Sequence, residues 1–118
     1  HDEAEVAATL GRILDRAGYQ VQAFTGPKVA LERFRTSPGD FDILVSDMVM
    51  PDLNGVDLAN EIRTIRPQIP VLFCSAYKPE NLGIIGPAPE VLAKPVEPLA
   101  LANAVRSLLD NAAASASA

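Results

Sequence analysis

The sequence predicts an α/β fold built on a parallel sheet, and three observations carry that prediction. Helix-like and strand-like segments alternate along most of the chain. The runs Ile43-Leu44-Val45 and Val71-Leu72-Phe73 are apolar without alternation, as strands covered on both faces are. Polar residues follow those runs directly, at the carboxyl ends of strands where open parallel sheets hold their ligands.

Residues 3–17 place Val6, Leu10, Ile13, Leu14 and Ala17 on one helical stripe. Asp2 and Glu5 form a capping-box pattern ahead of it, and Gly18 supplies a stop. Gln20–Phe24 reads as a short strand closed by Gly26 and Pro27. Pro27 opens a second helix with Ala30, Leu31 and Phe34 inward, ending near Ser37-Pro38-Gly39. Phe41–Ser46 is the next strand. Leu58, Ala59, Ile62 and Ile65 mark a third helix, stopped by Pro67. Pro70–Cys74 is a second buried strand.

Between Tyr77 and Glu90 no helical register survives Pro79, Gly83, Gly86, Pro87 and Pro89, so a loop with at most one helical turn is expected. Val91–Ala93 fits a short strand, and Pro98 starts a last helix through Leu101, Val105, Leu108 and Leu109. Residues 111–118, an Ala/Ser-rich tail, are expected to be disordered and to lie outside a single domain of residues 1–110. No internal repeat occurs.

Composition narrows the function. With 48% hydrophobic residues in 118, the chain can bury a core without staples. The single cysteine, Cys74, forms no internal disulfide, and no apolar run is long enough to cross a bilayer. A net charge of −5 argues against nucleic-acid binding, which draws on Lys and Arg contacts to phosphate. The expectation is a cytoplasmic domain without membrane contact. A start at His1 reads as a piece of something longer.

Asp47, Ser75 and Lys94 each follow a strand, and Asp2 precedes the first helix. Alone, each has a local explanation: a cap, a loop residue, a turn former, a solvated charge. Together, two carboxylates, a hydroxyl and an ammonium at one sheet edge suit phosphoryl chemistry. Carboxylates hold a hard cation such as Mg²⁺, Ser and Lys hold phosphoryl oxygens, and one carboxylate acts as nucleophile.

The surrounding sequence sharpens this reading. Ile43-Leu44-Val45-Ser46-Asp47-Met48-Val49-Met50-Pro51-Asp52-Leu53-Asn54-Gly55 resembles the phosphoacceptor segment of response-regulator receiver domains. Val71-Leu72-Phe73-Cys74-Ser75-Ala76 is similar to that family's fourth strand with its Ser/Thr switch residue, and Leu92-Ala93-Lys94-Pro95 to its Lys-Pro signature. Asp2-Glu3 fits the acidic pair after the first strand, and Gly18-Tyr19 the end of the first helix.

The resemblance covers Asp2 to about Leu109 and implies a flavodoxin-like doubly wound parallel sheet of strand order 2-1-3-4-5. It implies Asp47 as phosphoacceptor, with Asp2, Asp47 and the Val49 carbonyl as Mg²⁺ ligands and Ser75 and Lys94 on the phosphoryl group. The donor it implies is a phosphohistidine on a histidine kinase or phosphotransfer domain. No enzymatic activity beyond self-catalysed phosphorylation and dephosphorylation of the aspartate is implied. A cis Lys94–Pro95 peptide is implied as well. The chain would be a single-domain regulator or the terminal receiver of a hybrid sensor kinase, with docking or homodimer formation on the first helix.

Three departures stand out. The family's first strand is missing from the sequence, although it belongs between the second and third strands, and its absence exposes two strand edges. His1 stands where a second acidic residue is usual, and Val91 where an aromatic residue is common. A degenerate receiver that only docks a protein is therefore the alternative. A haloacid-dehalogenase-type phosphatase is disfavoured because Asp47-Met48-Val49 lacks the second Asp, and a serine hydrolase because Cys74-Ser75-Ala76 is no nucleophile elbow.

Overall fold

Val71–Ser75 is an apolar run ending on a hydroxyl, and all five residues are buried. It is the central strand of a three-stranded parallel sheet, in a computed structural model that describes residues 3–49, 53–76 and 82–117. The strands are β1 (Leu44–Asp47), β2 (Val71–Ser75) and β3 (Glu90–Ala93), in the order β1-β2-β3. Four helices cover the sheet: α1 (Glu3–Arg16), α2 (Pro27–Thr36), α3 (Gly55–Ile65) and α4 (Pro98–Ser117), with a 3₁₀ turn at Pro38–Asp40. The class is α/β, and the three strands take the order expected for the last three of the doubly wound sheet.

The alternation of β2 side chains divides the core in two. Leu72 joins Leu14 of α1 and Leu101 and Val105 of α4 on one face. Val71 and Phe73 meet Ala59 of α3 and Met48 on the other. Beneath α3, Leu58, Ile62 and Ile69 bury Leu31 and Phe34 of α2. Each of these helices therefore lies where its apolar stripe demands.

Helix ends follow the punctuation in the sequence. Tyr19 N–H donates to the Leu14 carbonyl (3.1 Å) and Gly18 N–H to that of Asp15 (3.0 Å), a Schellman closure with Gly18 at φ +101°. Ala17, expected on the buried stripe, is exposed in that turn. Pro27 begins α2, and the Asn54 side chain caps α3 by accepting from Asp57 N–H at 2.9 Å. Asp2 and the side chain of Val6 lie outside the described residues.

Three expectations need correction. Gln20–Phe24 forms no strand, as no strand lies beside it among the described residues. For the same reason β1 is only partly buried rather than covered throughout: one of its edges faces a cleft. The tail expected to be disordered from residue 111 is helical to Ser117, continuing α4 on alanine, the best helix former.

The expected loop is found where it can be seen. Residues 82–89 contain no helix, and residues 77–81 lie outside the described set. Arg63, 1% exposed, holds this segment from the last turn of α3. Its Nη1 donates to the carbonyls of Ile85 (2.7 Å) and Pro87 (2.6 Å), while Nε and Nη2 donate to that of Ile69 (3.1 and 2.9 Å). Asn60 adds a reciprocal pair, donating to the Gly83 carbonyl (3.0 Å) and accepting from Ile85 N–H (2.9 Å). Burial lowers the Arg63 pKa from its ordinary value. Main-chain carbonyls thus compensate a buried cation that has no ion pair among the described residues.

Two outcomes follow. Arg63→Met leaves three buried or half-buried carbonyls without this donor and should cost about 3 kcal/mol in urea unfolding. Cys74 supplies a pH test, because burial, reinforced by the Asp47 carboxylate against Lys94, pushes its thiol from 9.0 up to about 11. The unfolded chain releases that proton first, so the contribution is intact below pH 9 and is lost as pH rises to 11, by about 2–3 kcal/mol. Unfolding free energies of the wild type and Cys74→Ala at pH 7, 9 and 11 should diverge accordingly, with the shallower decline in the variant.

Candidate functional site

Parallel register brings the sequence-predicted residues together. Asp47 stands opposite Cys74, and Ser75 opposite Ala93, so β1, β2 and β3 end within one residue of a common line. Met48 N–H donates to the Cys74 carbonyl (3.2 Å), and Lys94 N–H to the Ser75 carbonyl (2.8 Å), extending the ladder one step past each strand. Lys94 is thereby anchored beside Ser75 by its own backbone. The Lys94–Pro95 peptide is cis, as expected.

Asp47 is the centre of this edge. Its side chain is 11% exposed, and Lys94 Nζ lies 2.6 Å from Oδ1. That contact is an ion pair, and among the described residues the buried Oδ1 atom has no hydrogen-bond partner. Ser75 is buried at the end of β2, and Lys94 is partly exposed with its ammonium turned to Asp47.

The backbone behind Asp47 is tightly packed. Gly55 N–H donates to the Met48 carbonyl (2.9 Å), drawing the start of α3 against the strand end. A Cβ at Gly55 would run into the Asp47 carbonyl oxygen and come within 3.1 Å of Phe73. Only glycine permits that approach. The Ser46 hydroxyl donates to the same Asp47 carbonyl (2.7 Å).

A hard cation fits the donors seen. Asp47 offers a carboxylate oxygen with no hydrogen bond among the described residues, and Mg²⁺ needs only one or two carboxylates when phosphate oxygens and waters complete its shell. Among the described residues no group of three or more His, Cys, Asp or Glu side chains converges. Asp2, the second carboxylate expected, and His1 lie outside the described residues, as do Met50, Pro51 and Asp52. Val49 is in the loop after β1, highly exposed at 72%.

Cys74 adjoins Ser75 on β2, whereas Arg63 and Asn60 act away from this site, on Ile69 and the segment 82–89. A signal existed for Arg63: it lies four residues after Ala59, hence on the buried face of α3. Cys74 was legible too, as the residue adjoining Ser75 on the buried strand.

Comparison with known proteins places this geometry. Residues 1–106 match the family described as response regulator receiver domain. The chain is 31% identical over 111 residues to the response regulator receiver protein CpdR of Brucella abortus, spanning 92% of this chain and 91% of that protein. It is 34% identical over 113 residues to the sensor kinase CckA of the same organism, covering 92% of this chain and 12% of CckA. It is 36% identical over 103 residues to the DNA-binding transcriptional regulator NtrC of Bradyrhizobium, covering 81% of this chain and 20% of that protein. The chain thus spans nearly all of CpdR but a fifth or less of NtrC and CckA.

Among solved structures, a response regulator receiver protein from Sinorhizobium medicae aligns with a TM-score of 0.83 at 26% identity, over 94% of this chain and 90% of that one. The receiver domain of the hybrid histidine kinase CckA aligns with a TM-score of 0.75 at 28% identity, over 92% and 93%. Among the described residues no helix is long and apolar enough to cross a membrane. With an aspartate, a serine and a lysine meeting at the carboxyl edge of its parallel sheet, the chain belongs to the response-regulator receiver domains of two-component signalling.

Proposed function

We propose that this domain takes a phosphoryl group from a phosphohistidine onto Asp47, in a Mg²⁺-dependent step of a phosphorelay. The observation that carries the reading is the Asp47–Lys94 pair at 2.6 Å, on an edge that also holds Ser75. A carboxylate oxygen attacks phosphorus, the P–O bond forms as the P–N bond breaks, and the imidazole of the donor leaves. Mg²⁺, when bound, supplies charge neutralisation between the carboxylate and the phosphoryl oxygens.

The chain's own residues do the rest. Lys94, pinned through its N–H to Ser75, exchanges a carboxylate partner for a phosphoryl oxygen as charge moves outward from Asp47. The Ser75 hydroxyl is a donor for a second phosphoryl oxygen. Asp2 and the Val49 carbonyl would join Asp47 in holding the cation. Hydrolysis of the acyl phosphate by water restores the carboxylate, so the chemistry is confined to the domain's own aspartate. The partner is a histidine kinase or a histidine phosphotransfer domain, and CckA-type relatives make a hybrid kinase a fitting parent.

Phosphoramidate in Mg²⁺ should label the wild type at one site, and Asp47→Asn should take no label; equal labelling of both would sink the assignment. A wild type that folds but never labels would instead favour the docking-only alternative. Lys94→Ala should still fold, yet its labelling rate should drop by about 100-fold, the scale of losing one preorganised electrostatic partner. A rate within twofold of the wild type would remove Lys94 from the chemistry.

A further inference from the structure

Ser46 is 6% exposed on β1, on the face it shares with Leu44 two residues earlier. Leu44 packs there against the cluster of Val71, Phe73 and Ala59. A hydroxyl in such surroundings must find an acceptor, and Ser46 finds one in the carbonyl of Asp47, at 2.7 Å. A buried serine usually gains nothing from such a bond beyond its own satisfaction. Here the acceptor is the main chain of the residue at the centre of the site.

The Asp47 carbonyl and the Met48 N–H are two ends of one rigid peptide plane. The N–H end donates to the Cys74 carbonyl of β2 at 3.2 Å. The carbonyl end accepts from Ser46 and faces Gly55 so closely that a Cβ there would overlap it. The plane is thus clamped at both ends. The direction of the Cα–Cβ bond of Asp47 is set by the two peptide planes that meet at its Cα. The ladder to β2 holds the first, and Ser46 completes the hold on the second. The carboxylate has little of its own to steer it: Lys94 pairs with Oδ1, and among the described residues that buried oxygen makes no hydrogen bond. Its aim therefore follows from the main chain that carries it.

We propose that Ser46 is a positioning residue for phosphoryl transfer: its hydroxyl locks the Asp47–Met48 peptide and so aims the carboxylate at phosphorus. In-line attack tolerates little error, and a displacement of about 1 Å can cost about 100-fold in rate. Ser46 acts through Asp47 and takes no part in bond making. The role rests on Asp47 being the phosphoryl acceptor, whereas the clamp on the peptide does not and is read separately.

Ser46→Ala in the full chain removes the donor, and amide hydrogen exchange reads the clamp without any phosphoryl group. Exchange at Met48 should quicken roughly tenfold, while that at Leu44, bonded to the Pro70 carbonyl on the same edge, stays as in the wild type. Labelling by phosphoramidate in saturating Mg²⁺ should slow about tenfold at an unchanged half-saturating phosphoramidate concentration, since a misaimed nucleophile loses rate rather than binding. Ser46→Thr keeps the hydroxyl and should recover the rate to within about threefold. Ser46→Cys fills the same space with a weak donor, carries the same expectation as the alanine variant, and replaces it if that variant does not fold. Unchanged Met48 exchange in either variant overturns the clamp, and a wild-type labelling rate in either overturns the positioning role. A folded threonine variant as slow as the alanine one does the same. A wild type that takes no label overturns the phosphoryl reading itself, and the role of Ser46 falls with it even where Met48 exchange bears the clamp out.

Discussion

The site depends on β2 having a strand on each of its edges. Parallel pairing leaves no freedom in relative height: once Leu44 stands opposite Val71 and Phe73 opposite Val91, Asp47, Ser75 and Lys94 must emerge together. Burial of β2 on both faces enforces that register, because a one-residue slip would turn Leu72 out of its cluster and exchange the faces of Val71 and Phe73. The glycine at position 55 then lets α3 start against the strand end without moving Asp47. A chemically useful constellation arises from main-chain geometry, with few side-chain contacts to hold it.

Electrostatically the edge is poised rather than balanced. Lys94 neutralises Asp47 at short range, and among the described residues the buried oxygen makes no hydrogen bond. The neighbouring Cys74 is held as a thiol by burial and by the same carboxylate, so it adds no competing anion near neutral pH.

Much of this was legible in the sequence, and the failures have identifiable causes. Apolar runs without alternation located β1 and β2, and Pro27, Pro67, Gly18 and Pro98 placed helix ends, because each acts through local backbone chemistry. The strand over Gln20–Phe24 failed because a strand is a property of a pair, and no strand lies beside it among the described residues. The tail failed in the opposite sense: low complexity suggested disorder, while the helix propensity of alanine carries α4 onward from Leu109. Asp47, Ser75 and Lys94 were found from strand ends and flanking motifs. Arg63 was missed because a lone arginine in a helix normally reads as solvated, and its partners are carbonyls, which every sequence contains and none advertises.

That last feature bears on how this region can vary. Arg63 and Asn60 grip the segment 82–89 through its peptide groups, and Gly86 allows the chain to pass close to the Pro67 carbonyl. The path is therefore set by a clasp that is blind to the side chains it holds. Ile85, Pro87 and Ala88 can be exchanged for other residues without loosening it, provided the two clasping residues and the glycine stay. The surface that leads into the amino end of β3 is thus open to diversification at little structural risk, which a packed amphipathic helix in the same place would not allow.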